Sequence, residues 1–406
     1  MAKITKLYQD FLNNEKTAGI ILILCTIVSI FLANSAFQSS YLDFWQNNVK
    51  LEFGSFNFFS HHGEPLPLVT FINDALMAIF FLMVGLELER EIYKGELSQR
   101  KKALLPLIGA LGGMIVPATI YLLLNYGTDT QSGAGIPMAT DIAFALGVLS
   151  LLGRRVPAGL RIFLTALAVI DDLGAIVVIA IFYSHDLELV NLGVALGVWL
   201  ILLLMNRLKV KVLMPYLIGG AVMWYFMLNS GIHATISGVL LAFAIPFGDG
   251  SPNTISYKLQ HALHRPVSFL ILPIFALANT AIVIDFDFSE VFRQRYSLGI
   301  FFGLLLGKPI GVVLFCFVAC LLKFCKLPAR VDWKQMIGVG CLAGIGFTMS
   351  IFITLLAFDP VRYQDYINNG KFMILVSSLC SAIVGYFALS LIYRRKKESV
   401  KTISNE

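Results

Sequence analysis

The sequence predicts an all-α polytopic membrane protein: twelve transmembrane helices, inverted repeats, two broken spans and a short external β-hairpin. Three observations carry that reading. The 406 residues are 57% hydrophobic and only 14% charged, with a mean hydropathy of +0.78, whereas a soluble domain carries about 25% charge. Twelve apolar stretches are long enough to cross a bilayer. The basic residues then fall in alternate loops, as the positive-inside rule requires.

The predicted spans are 17–35, 67–87, 103–124, 134–152, 158–182, 189–206, 213–229, 231–247, 264–284, 298–322, 335–357 and 371–393. With the N-terminus inside, 25 of the 31 Lys and Arg residues lie on the cytoplasmic side and both termini are cytoplasmic. Lys50, Arg293, Arg295, Arg362 and Lys371 fall outside, and Lys308 falls within the membrane. This spread accounts for the net charge of +6 without any nucleic acid. The first span follows Lys3, Lys6, Glu15 and Lys16 with no small-residue cleavage site, so it reads as a retained helix. No extramembrane stretch is long enough to fold alone, and the chain reads as one transmembrane domain over 1–406. Its interface and core bundles are not separable by sequence position. The six cysteines lie in or beside spans at spacings that suit neither a disulfide framework nor a metal site, and read as small apolar fillers.

Between the first two spans, residues 49–58 alternate about a Gly54-Ser55 centre, the pattern of a hairpin. A lone hairpin is marginal in water, so pairing with a second copy of the chain is one expectation. An irregular loop resting on the membrane surface is the other. Two spans are interrupted alike. The fourth reads Gly133-Ala134-Gly135-Ile136-Pro137-Met138-Ala139-Thr140-Asp141, and the eleventh runs Gly338 to Ser350 with four glycines. Such paired breaks point to a transporter built from inverted repeats, although small residues also allow close helix packing.

Six acidic or basic residues stand where lipid would exclude them: Asp74, Glu87, Asp141, Asp171, Asp172 and Lys308. A carboxylate at the bilayer centre costs roughly 2.5–3.5 kcal/mol on insertion scales, and adjacent like charges resist ionising together. Asp171 and Asp172 therefore point to a site for a cation, a proton, or both in turn. Neighbouring helical residues diverge by about 100°. The Asp172 face continues through Thr165, Ala168 and Ala175, and the Asp171 face through Leu164, Leu167 and Gly174. Lys308 is the natural partner for one of the two acids. Carboxylate, hydroxyl and freed carbonyl oxygens suit a hard cation, and Thr140 and Asp141 add to that set. A buried ion pair that only fixes helix packing is the rival reading. Glu87-Leu88-Glu89-Arg90-Glu91 reads either as a funnel for cations or as a solvated helix end. His233 reads as a structural hydrogen-bonding residue or a pH-responsive one. Asp74 reads as a packing group or a minor pathway residue.

At these residues the chain strongly resembles NhaA-type sodium/proton antiporters. The resemblance rests on Asn73-Asp74-Ala75-Leu76-Met77, Val84-Gly85-Leu86-Glu87, Ala139 to Gly147, Ile170-Asp171-Asp172-Leu173-Gly174-Ala175, His233-Ala234-Thr235, Gly307-Lys308-Pro309 and Gly344 to Phe352, in that order over nearly the whole chain. It implies broken helices that cross at mid-membrane, and electrogenic exchange of cytoplasmic Na⁺ or Li⁺ for external H⁺ across a bacterial inner membrane. It implies Asp172 as the principal cation and proton site, with Asp171 alternating between a bridge to Lys308 and the ion-binding state. Na⁺ or Li⁺ would sit at Asp171, Asp172 and Thr140. Thr140 and Asp141 would support the helix break, Glu87 and His233 would serve pH response, and the 49–58 hairpin would form a homodimer contact. No cofactor is expected, only transported ions and protons. Gln260 and Glu89 depart from the pattern, where glutamate and lysine occur in relatives, and leave the pH profile open.

Two other classes make weaker cases. An intramembrane aspartyl enzyme would show Gly-x-Gly-Asp, which is absent, and an Asp-Asp-x-x-Asp metal motif fails at Ala175. A sodium-coupled organic-solute symporter needs a roomy cavity with anchors for an organic group, and no such pattern is visible.

Overall fold

The computed structural model describes residues 15–53, 56–61, 63–183, 187–285, 287–360 and 362–403. Lys3, Lys6 and the Gly54-Ser55 centre of the expected hairpin lie outside them. In chain order the helices are α1 (Glu15–Ala33), α2 (Gln38–Gln46), α3 (Leu68–Tyr93), α4 (Arg100–Asn125), α5 (Ile142–Leu151), α6 (Ala158–Phe182) and α7 (Leu189–Arg207). Then come α8 (Leu213–Leu228), α9 (Ile236–Ala244), α10 (Ile255–Asn279), α11 (Arg295–Leu321), α12 (Trp333–Ala343), α13 (Phe347–Ala357) and α14 (Gln364–Ile403). Among the described residues eight helical spans are long and apolar enough to cross a membrane, or ten when each bent pair counts as one span. The two bent pairs are α1 with α2, at 115°, and α12 with α13, at 46°. The predicted spans 213–229 and 231–247 correspond to α8, of 16 residues, and α9, of 9, both below full spanning length.

Large apolar side chains on these helices face outward, Leu123 and Val190 being 79% exposed and Phe182 71%. An apolar face of that extent belongs against lipid.

The chain forms two compact units. Among the described residues, one holds 15–20, Gln99–Ala175 and 285–403; the other holds Ile21–Ser98 and Ile176–Ile284. Each is assembled from stretches that are not adjacent in sequence. In the first unit α4 packs on α11 where two glycines meet, since a Cβ on Gly311 would run into the Gly112 carbonyl. In the second, a core of Leu86, Leu202, Tyr216, Met223, Leu241 and Ala242 joins α3, α7, α8 and α9.

The second unit also carries the strands. Glu52–Phe53 pairs antiparallel with Phe56–Asn57 in the register Phe53↔Phe56. A separate three-stranded sheet, which the sequence did not foretell, orders Asn48–Val49, Glu64–Pro67 and Ser60–His61. It is anchored by aromatic packing: Phe58 stacks on Tyr225 at 5.5 Å, and Phe59 meets Phe71 edge-on at 4.8 Å.

Three spans contain a π-helical turn: Ile72–Leu76, Val267–Ile271 and Gly303–Gly307. Two have a plain cause. Pro273 and Pro309 have no N–H to give, and their rings crowd the carbonyl four residues back. The ladder widens just before them, with Leu272 N–H bonding Val267 O and Lys308 N–H bonding Gly303 O.

Candidate functional site

Both interrupted spans lie in the first unit, and their breaks touch. Residues Gln131–Met138 form a 3₁₀ run, Ala139 to Asp141 are extended, and α5 begins at Ile142. Across from them, α12 ends at Ala343 and α13 begins at Phe347. Asp141 N–H donates to the Ile345 carbonyl at 2.7 Å, a backbone bond between the two breaks. Ser350 Oγ donates to Ile136 O at 2.8 Å. Four helix ends thus meet inside the protein, each with backbone groups that lipid cannot satisfy.

The polar side chains sort by sign onto those ends. Asp141 serves both helix N-termini: Oδ1 accepts Phe144 N–H at 3.0 Å, while Oδ2 accepts Thr348 N–H at 3.2 Å and Thr348 Oγ1–H at 2.5 Å. A carboxylate between two positive helix ends is stabilising. Ser378 Oγ accepts Phe347 N–H at 3.1 Å. On the carbonyl side, Lys308 Nζ donates to Met138 O. Thr140 Oγ1 lies 2.8 Å from Ala343 O and 2.8 Å from Asp171 Oδ2, and its single hydrogen serves one of them at a time.

Asp171 ties this crossing to α6. Its Oδ2 meets Lys308 Nζ at 2.8 Å in an ion pair whose two side chains are both wholly buried. Asp171 Oδ1 has no hydrogen-bond partner among the described residues. Asp172 is 2% exposed and points from the adjoining face of α6. The π turn at Gly303–Gly307 sets Lys308 at the start of a regular helix with Pro309 next to it, which fixes where the ammonium emerges.

Thr140, Asp141, Asp171 and Lys308 are therefore brought together as read from sequence, with Asp172 beside them. Thr348, Ser350 and Ser378 were missed as individual partners; for Thr348 and Ser350 the available signal was their place directly after the Gly344–Gly346 break, whereas Ser378 comes from α14. Lys371, assigned to the outer side, is 8% exposed on α14 within an apolar span, a second buried lysine beside Lys308 among the described residues.

Glu87 and His233 belong to the second unit. Glu87 is half-buried on α3, and His233 Nε2 lies 3.0 Å from the Tyr183 carbonyl just before α9. Trp224 Nε1–H donates to the Asp74 backbone carbonyl at 3.2 Å, and Asn73 and Asn279 exchange side-chain hydrogen bonds. Glu89 is buried. Arg90 lies over the Tyr257 ring at 5.2 Å, and Tyr257 stacks on His261 at 3.9 Å. At the end of α3 an open hollow of about 590 Å³ is lined by two acids, Glu91 and Asp249, and two bases, Arg90 and Lys94, and not by Glu87 or Glu89. Hydrogen bonds from Ser251 and the charge of Lys94 hold the Asp249 carboxyl below its ordinary range.

Among the described residues no group of three or more His, Cys, Asp or Glu side chains is placed to hold a metal ion. The oxygens gathered at the crossing are of another kind: two adjacent carboxylates, a hydroxyl and the freed carbonyls of Met138 and Ala343. That set suits a hard, weakly held alkali cation better than a resident transition metal.

The Asp141–Thr348 contact gives a first expectation. Thr348→Val deletes the hydroxyl donor yet keeps the backbone N–H and the side-chain shape. Losing one hydrogen bond to a charged group should destabilise the protein by about 1.5–3 kcal/mol. Thermal unfolding in detergent reads it: Thr348→Ser should hold the wild-type midpoint and Thr348→Val should fall by several degrees.

The Na⁺/H⁺ antiporter 1 family model matches residues 9–389. A Na⁺/H⁺ antiporter NhaA of Flavobacterium psychrophilum is 58% identical over 392 residues, covering 97% of this chain and 98% of that protein. Another NhaA, of Dechloromonas aromatica, is 53% identical over 391 residues, 96% of each. Among solved structures, the sodium proton antiporter MjNhaP1 from Methanocaldococcus jannaschii has a similar fold, with a TM-score of 0.50 at 17% identity over 92% of each chain.

Proposed function

The chain belongs to the Na⁺/H⁺ antiporter 1 family, and we propose that it exchanges cytoplasmic Na⁺, or Li⁺, for external H⁺ by alternating access, using the crossing in the first unit as its ion site. One observation carries this reading. Lys308 Nζ and Thr140 Oγ1 both reach the same buried Asp171 oxygen, at 2.8 Å each, where two helix breaks release carbonyls. The lysine ammonium occupies the kind of position an alkali cation needs, one carboxylate oxygen and one carbonyl oxygen. Cation and ammonium therefore compete for Asp171.

The cycle follows from that competition. With protons bound, Lys308 holds Asp171 and the carbonyl of Met138. When Asp172 and the Asp171–Lys308 pair together give up more than one proton to the cytoplasm, a single cation enters between Asp172, Asp171 and the Thr140 oxygen, and Lys308 lets go. After reorientation, external protons displace the cation and the bridge re-forms. Asp141 keeps the two helix N-termini together while the carbonyl side opens and closes. The site binds no cofactor, only its cargo. Nothing in this chemistry needs an enzyme, and an organic-solute symporter would need anchors that the crossing does not offer.

The finer features belong to the same proposal. The chain spans a bacterial inner membrane twelve times with both termini in the cytoplasm, moves net charge per cycle, and pairs with a second copy through the strands around 49–58. Glu87 and His233 tune its response to pH. The assay is dissipation of a proton gradient in everted membrane vesicles: Na⁺ or Li⁺ should collapse it, and no response to either ion would end the reading.

Gln260 is half-buried on α10, one residue from His261. We expect Gln260→Glu to move or steepen the pH profile of this response, since it restores an acid beside a histidine. An unchanged profile would remove Gln260 from pH control.

A further inference from the structure

The thiols of Cys320 and Cys325 lie 3.8 Å apart at the end of α11. A spacing of five residues does not by itself bring two side chains together; the turn does it here. Lys323 N–H bonds Cys320 O at 3.0 Å and Phe324 N–H bonds Ala319 O at 3.0 Å, the pair of bonds that closes a Schellman motif. The residue in the left-handed position is Lys323, at φ 60°, where glycine is usual. The chain thereby doubles back and sets Cys325, 6% exposed, over the half-buried Cys320. Cys316, one turn earlier, is occupied otherwise, its thiol 3.6 Å from the Leu105 carbonyl.

We propose that Cys320 and Cys325 are a redox modification site, a thiol pair that a hydroperoxide converts to an intrachain disulfide across the end of α11. The more exposed Cys320 sulfur attacks the peroxide oxygen; the O–O bond breaks, Cys320 becomes a sulfenic acid and one water leaves. The Cys325 sulfur then attacks the Cys320 sulfur, the S–S bond forms and a second water carries off the hydroxyl with the Cys325 proton. Two thiols lose two electrons and one hydrogen peroxide gains them. Burial and the neighbouring thiol push Cys325 up to about 11, so the second step should quicken as pH rises toward that value, about tenfold per unit. The bond would staple the connection from α11, which carries Lys308, to α12, whose last carbonyl faces Thr140. Lys323, Lys326, Arg330 and Lys334 surround that connection, and they mark it as cytoplasmic by the positive-inside rule, the reducing side where such a bond is reversible.

The test uses the full-length protein in detergent, treated with hydrogen peroxide, then denatured and alkylated. Expected is a protein with four alkylated cysteines of six, a Cys320–Cys325 peptide lighter by two hydrogens, and return to six with dithiothreitol. Conversion should be faster at pH 9 than at pH 7. Cys320→Ser should keep all five remaining thiols alkylatable, and Cys325→Ser should form no disulfide, its Cys320 stopping at a sulfenic acid that dimedone traps; using both guards against one variant failing to fold. Six alkylated cysteines after treatment, or a bond to any other cysteine or to a second chain, would overturn the proposal.

Discussion

Replacing Asp172 by Asn is expected to abolish sodium-driven proton movement in everted vesicles while leaving a folded protein in the membrane. Asparagine keeps the volume and a carbonyl oxygen but neither titrates nor offers negative charge. It therefore loses both halves of the exchange at once, whereas a residue that only shaped the pathway would slow them. The buried position makes the effect large: at 2% exposure there is little water to supply a substitute anion. Asp172→Glu should retain weak transport, because the carboxylate survives at a displaced position. The pH dependence has a definite sign. Protons compete with Na⁺ for the ionised form, so the apparent KM for Na⁺ should rise as pH falls, by about tenfold per unit below the pKa of the cation-free site. Maximal velocity at saturating Na⁺ should change far less. Normal transport by Asp172→Asn would dispose of the mechanism.

The second large effect is expected at the Asp171–Lys308 pair, and it appears first in stability. Removing one member of a buried ion pair leaves an uncompensated charge and costs about 3–5 kcal/mol. Lys308→Ala does more than that, since it also strips the donor from the Met138 carbonyl at a helix end. Asp171→Asn leaves the ammonium with that carbonyl and with a neutral amide oxygen. The double variant Lys308→Ala, Asp171→Asn should be more stable than the sum of the single losses implies, because no unpaired charge remains. Thermal unfolding of all four proteins in detergent closes that cycle. Single variants with wild-type midpoints and an unaltered pH profile of transport would mean the bridge contributes nothing.

Much of this arrangement is legible in sequence because lipid makes polar groups expensive. Asp141, Asp171, Asp172 and Lys308 stand out in apolar spans, and glycine with proline marks both breaks. The composition reveals a membrane protein for the same reason. Other features depend on backbone geometry that no residue pattern encodes. That Asp141 bonds Ile345 O, or that Thr140 stands between Asp171 and Ala343, follows from which helix ends meet. The π turn before Lys308 was open to inference from Pro309, whose missing N–H disturbs the ladder. The burial of Lys371 was hidden by its charge: α14 starts at Gln364, seven residues before it, and carries it into the protein. The split into two units was hidden because each unit draws on separated stretches of chain.

If protons and alkali ions occupy the same pocket in turn, ion binding must release protons, and that release can be read without transport. Purified protein in weakly buffered detergent solution, at a pH where the pocket is protonated, is mixed with NaCl and followed with a pH indicator, choline chloride serving as the control. Wild type should release protons on addition of Na⁺ and none with choline, and Asp172→Asn should release none with either. Sodium binding without any proton release at every pH, or undiminished release from Asp172→Asn, would contradict it.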